Sequence, residues 1–99
     1  MQVAELDEVQ YDLEIDGELA REQLSRQVWE SKGWATVAIA FRERASAGAW
    51  KAPKLALLRF RRVHETWQRQ AQITLSGGEA SALAGEISSW FSAAAPDDD

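Results

Sequence analysis

The chain has no cysteine and a single histidine, His64. Without thiols there is no disulfide framework, no thiolate metal centre and no cysteine nucleophile. One histidine leaves little for acid–base catalysis. It sits beside Glu65 in a Val63–Thr66 stretch that reads as a turn, where a surface role is the ordinary one. Proline occurs only twice, so little of the chain is Pro-rich linker. No apolar run approaches the roughly 18 residues that a membrane helix needs, and the acidic start MQVAELDEVQ does not read as a secretory leader. Gly77-Gly78 lacks the flanking pattern of a phosphate loop and reads as the start of a helix. The expectation is a protein of the cytoplasm, nucleoid-associated if bacterial, with no catalytic residues, metal or cofactor.

Basic residues are also missing from both ends. All eleven Lys and Arg lie between Arg21 and Arg69, where only four acids accompany them. Residues 1–20 hold seven acids and no base, and residues 70–99 hold five acids and no base. A chain of net charge −5 therefore carries a basic centre, and four of its five tryptophans lie there too. Basic charge interleaved with flat rings suits a polyanion that offers bases to stack on, which describes single-stranded nucleic acid. The constellation comprises Lys32, Trp34, Arg42, Arg44, Trp50, Lys51, Lys54, Arg59, Arg61, Arg62, Trp67 and Arg69. The plainer alternative makes Trp34 and Trp67 core residues and the arginines a solvated sheet surface.

Ninety-nine residues bury a thin core, and dimerisation is one way to cover more apolar surface. Val9, Tyr11, Leu13 and Ile15 alternate with polar residues, which predicts a half-buried strand. Residues 18–30 read two ways. Ala20, Leu24 and Val28 repeat every four residues, as in a helix with Glu22–Arg26–Glu30 ion pairs. Ser31-Lys32-Gly33 looks like a hairpin turn, which makes the residues before it a strand. The reading adopted is a short helix running into a short strand.

From Trp34 the pattern is clearer. Trp34–Arg44 alternates, with Ala35, Val37, Ile39 and Phe41 on one face. Lys54–Val63 and Trp67–Leu75 follow as strands, the last placing Trp67, Arg69, Ala71, Ile73 and Leu75 opposite Gln68, Gln70, Gln72 and Thr74. Ser76-Gly77-Gly78-Glu79 matches a capping box. It opens a helix to about Phe91, whose stripe of Leu83, Ile87, Trp90 and Phe91 suits a core or a dimer interface. Residues 1–20 thus form an acidic segment with a strand. Residues 21–92 form a basic sheet and helix, one domain with that strand. Residues 93–99 form a disordered acidic tail. The fold class is α+β, an antiparallel meander followed by a C-terminal amphipathic helix.

The order from Gly33-Trp34 through Ile73-Thr74-Leu75-Ser76 into a helix bearing Glu79, Leu83 and Ile87 resembles the positive cofactor four family. These are single-stranded-DNA-binding transcriptional coactivators, related in fold to the Whirly proteins. The resemblance covers residues 33–91, and the first 30 residues have no counterpart in that family core. It implies a strongly curved sheet, a homodimer joined through helices and sheets, and channels that hold single-stranded DNA without strong sequence preference. It places Trp34, Arg42, Arg44, Trp50 and Lys51 at the channel, with Lys54, Arg59 and Arg61 from the next strand. The expected partner is single-stranded DNA or RNA in transcription, replication or repair. The alternative is a protein-interaction module whose basic sheet binds an acidic regulatory protein.

Overall fold

Alternating small and apolar residues build a sheet with two unlike faces. The computed structural model describes residues 2–92. The expected acidic tail, residues 93–99, lies outside them. The strands are β1 (Gln2–Val3), β2 (Leu13–Ile15), β3 (Glu18–Ser31), β4 (Trp34–Glu43), β5 (Lys54–Val63) and β6 (Thr66–Ser76), followed by helix α1 (Gly77–Phe91). They form one curved antiparallel sheet, a half-barrel in the order β1-β6-β5-β4-β3-β2. The α+β meander-plus-helix expectation holds, and β4, β5, β6 and α1 fall where the periodicity put them.

The inner face buries Ala35, Val37, Ile39 and Phe41 of β4, Ala56, Leu58 and Phe60 of β5, and Trp67 of β6. Its cover is the N-terminal segment, which works as a strap. β1 lies along the outer edge of β6 (Gln2↔Gln68, Val3↔Trp67), and β2 lies along the far edge on β3. Between them the chain crosses the inner face and buries Leu6, Val9 and Tyr11. Tyr11 meets Phe41 edge-on at 4.8 Å and its hydroxyl accepts from Gln72 Nε2 at 2.9 Å. Arg26 donates to the carbonyls of Leu6 and Val9, and Arg21 donates to the Tyr11 carbonyl while standing 4.3 Å over its ring. Burial of three apolar side chains, at about 1.5–3 kcal/mol each, is the main hold on the strap.

The expected Val9–Ile15 strand is shorter than its alternation. Only Leu13–Ile15 is strand, and Leu13 and Ile15 are exposed. The strap leaves the core at Asp12, whose carboxylate accepts from the Gln23 N–H at 2.7 Å, so the residues beyond run along the sheet margin.

The expected helix over residues 18–30 is instead a single 14-residue strand. A bulge between Gln23 and Ser25 leaves Leu24 unpaired. Ala20 and Val28 thereby face opposite sides, so the four-residue spacing that links them in the sequence is not a shared face. Glu22 bonds Arg42 rather than Arg26. A long neighbour, β4, offers ten residues of unmatched main chain, and that pairing outweighs a weak helical pattern.

A second bulge alters β6. Arg59 pairs with Ala71 but Phe60 pairs with Arg69, so Gln70 is the extra residue. Trp67 and Arg69 therefore turn inward, while Ala71, Ile73 and Leu75 turn outward. The expected row of Gln68, Gln70, Gln72 and Thr74 is broken across the two faces.

β2 and β3 join through Asp16-Gly17 and β3 and β4 through Lys32-Gly33, all four with φ between 51° and 81°. Two consecutive left-handed residues make the turn that matches strand twist, and glycine takes the second position without strain. The capping box of α1 forms in full: Ser76 Oγ accepts from Glu79 N–H, and Glu79 Oε1 accepts from Ser76 N–H, each at 3.1 Å. None of the helix residues is buried, and Leu83, Ile87, Trp90 and Phe91 are exposed.

Candidate nucleic-acid interface

Strand parity decides which basic residues share a surface. Trp34, Thr36, Ala38, Ala40 and Arg42 of β4 point to the outer face. There they lie beside Arg61, Arg59, Leu57 and Leu55 of β5 and beside Ser31, Trp29, Gln27 and Ser25 of β3. The middle is small and apolar. Basic–aromatic clusters stand at the two ends, about 26 Å apart along β4.

At the β3–β4 hairpin end, Arg59 and Arg61 stand 4.9 and 5.2 Å from the Trp34 ring centroid. Arg59 donates to Thr36 Oγ1 at 2.8 Å. Neither arginine is ion-paired with a carboxylate among the described residues. An open cleft of about 800 Å³ lies here, lined by Trp29, Glu30, Ser31, Lys32, Trp34, Thr36 and Arg59. Trp29 is 57% exposed and has no ring or cation partner among the described residues. Its flat face is open to a ligand.

At the other end the arginines are already engaged. Arg42 and Arg44 both stand 4.2 Å from the Trp50 centroid. Arg42 is ion-paired with Glu22 at 2.8 Å, and Arg44 donates to the carbonyls of Leu19 and Gly48. Lys51 is exposed in the loop, its N–H bonded to the Glu43 carbonyl. Lys54 pairs in register with inward-facing Phe41 and is ion-paired with Glu43 at 3.3 Å. It does not share a surface with Arg59 and Arg61.

The nine expected binding residues thus divide. Lys32, Trp34 and Arg59 line the cleft, with Arg61 over the Trp34 ring beside it; Arg42, Arg44, Trp50 and Lys51 form the far cluster; Lys54 faces the other way. Trp67 is core, 2% exposed with Arg62 over its ring. Trp29 is absent from the expected set because residues 18–30 read as mainly helical. The signal available was the hairpin Ser31-Lys32-Gly33, which places the residue two before Ser31 on the same face as Trp34.

The acids of the strap lie on the opposite side of the sheet from this surface. Glu5, Asp7, Glu8 and Asp12 are exposed there and form no ion pair among the described residues. No group of His, Asp and Glu among the described residues is arranged to hold a metal, and no described helix is long and apolar enough to cross a membrane. No family model, curated protein or solved structure matches the chain significantly.

Proposed function

We propose that the chain binds single-stranded nucleic acid on the outer face of its sheet, by contact alone and without chemistry. The observation that carries this is the hairpin-end cleft: an exposed Trp29 beside Trp34, with Arg59 and Arg61 uncommitted to carboxylates. Bases stack on the rings while the guanidinium groups neutralise phosphates. The strand then runs over Ala38 and Ala40 toward Arg42, Arg44, Trp50 and Lys51. This far cluster contributes less, because Arg42 is ion-paired with Glu22 and Arg44 is hydrogen-bonded to main-chain carbonyls within the fold. A duplex buries its bases and offers nothing to stack, so single strands are preferred. The curved meander and capped helix agree in outline with the resemblance to the positive cofactor four family, and they support a role in transcription, replication or repair. In the same reading the chain acts as a homodimer, with Leu83, Ile87, Trp90 and Phe91 of α1 covered in the contact.

A labelled single strand of about 25 nucleotides and its duplex, titrated at low and moderate salt, test this by anisotropy and Trp quenching together. The expected result is single-strand preference, quenched Trp fluorescence, and a log–log salt slope of about −0.7 per neutralised phosphate. No binding even at low salt would end the reading and turn attention to acidic proteins as partners of the same basic surface.

A further inference from the structure

The outer edge of β3 is only partly used. β2 pairs with residues 18–21, and Asp12 takes the Gln23 N–H. Beyond the bulge at Leu24, the edge from Arg26 to Glu30 has no main-chain partner from another strand among the described residues. The two-residue hairpin pairs Ser31 with Trp34, and from there the register turns the main chain of Trp29, Gln27 and Ser25 toward β4. The N–H and C=O groups of Arg26, Val28 and Glu30 therefore point outward. An open run of this kind is a template for another strand.

We propose that a second copy of the chain occupies it. The two β3 strands pair antiparallel about a twofold axis at Val28. The charge pattern selects this register. Outward-pointing residues must face one another, which allows a twofold at any residue from Arg26 to Glu30; centring on Gln27 or on Trp29 sets Arg26 or Glu30, respectively, opposite the partner's Val28 and pairs no opposite charges. Centring on Arg26 or Glu30 sets like charges directly opposite, which destabilises a pair. Centring on Val28 sets Arg26 opposite the partner's Glu30, twice, with the two valines between them. Such a contact is isologous and closes. Joining β3 to the open edge of β6 instead would propagate without end.

The pairing has a consequence on the outer face. Trp29 lies opposite the partner's Gln27, and the two Trp29 side chains become diagonal neighbours about 7–8 Å apart. The two hairpin-end clefts then fuse into one platform, Trp34–Trp29 continuing into the same pair of the partner subunit. Each site thus gains a tryptophan from the other copy. That consequence rests on the nucleic-acid reading, but the association does not. The contact is also separate from α1, which follows β6 at the opposite margin of the sheet.

The absence of native cysteine gives a clean test. In a hydrogen-bonded antiparallel pair the Cα atoms lie about 5.5 Å apart, within disulfide reach. Mild oxidation of Val28→Cys, without nucleic acid, should give a covalent dimer well above the yield of Ser46→Cys, an exposed loop control. Equal yields would overturn the proposal. Val28 packs against the core, so a second variant guards against misfolding. Glu30→Pro has an exposed side chain and removes one outward N–H; it should halve the mass found by sedimentation, and an unchanged mass would overturn the proposal. Neither readout involves nucleic acid, so they fail or succeed independently of the titration above.

Discussion

Trp29 and Trp67 carry the same side chain into opposite environments, and each makes its own prediction. Trp67 fills the inner face, so Trp67→Ala should cost about 3–5 kcal/mol. That is a large part of the roughly 5–15 kcal/mol that holds a small domain, and denaturant titration will show it as loss of folded protein at low denaturant. Trp29→Ala removes an exposed ring. It should leave the melting temperature nearly unchanged and weaken single-strand binding by about 1–3 kcal/mol; unchanged affinity would remove Trp29 from the site. Replacing both Arg59 and Arg61 by Gln should flatten the salt slope by about 0.7 for each phosphate no longer neutralised. Trp50→Ala should act more on stability than on binding, because Arg42 and Arg44 lose the ring they stand over. These fates were only partly legible in the sequence. Parity set Trp34 on the face opposite Ala35, Val37, Ile39 and Phe41, as in the sheet. It set Trp67 with Ala71, Ile73 and Leu75, because an extra residue at Gln70 leaves no mark in a polar stretch.

Among the elements, α1 and β3 differ in where their instructions lie. The helix is set locally, by a reciprocal cap and a four-residue stripe, and it could be read from its own residues. β3 is set by its neighbours: the exposed main chain of β4, the hairpin at Lys32-Gly33, and a bulge that hides the period of two. No window confined to residues 18–30 contains that information. The cap yields a direct measurement. With no buried residue to anchor it in the single chain, α1 depends on its N-terminus. Ser76→Ala should cost about 1 kcal/mol and lower helical ellipticity before the sheet melts. A single coincident transition with undiminished helix signal would show that packing, not the cap, holds it.

For the molecule as a whole, the segregation of charge along the chain becomes a segregation in space. The strap's acids lie on one side of the sheet, and the cleft's bases lie on the other. The layers stand about 10 Å apart, beyond the roughly 8 Å over which charges act at physiological salt. Changing Glu5, Asp7 and Glu8 to Gln should therefore alter single-strand affinity by less than about twofold at that salt. A much larger gain would mean that the strap competes for the basic face.

The strap also sets an order in time. Leu6, Val9 and Tyr11 are made first, but Trp67 and Gln72, which receive them, are made some 60 residues later. At about 5–20 residues per second, the growing chain holds these groups unburied for roughly 3–12 seconds. The hairpins of β3–β4 and β5–β6 need only neighbouring residues and form as they emerge. Closure of the half-barrel is therefore the last event, and until then the nascent chain displays an apolar sheet face fringed with carboxylates.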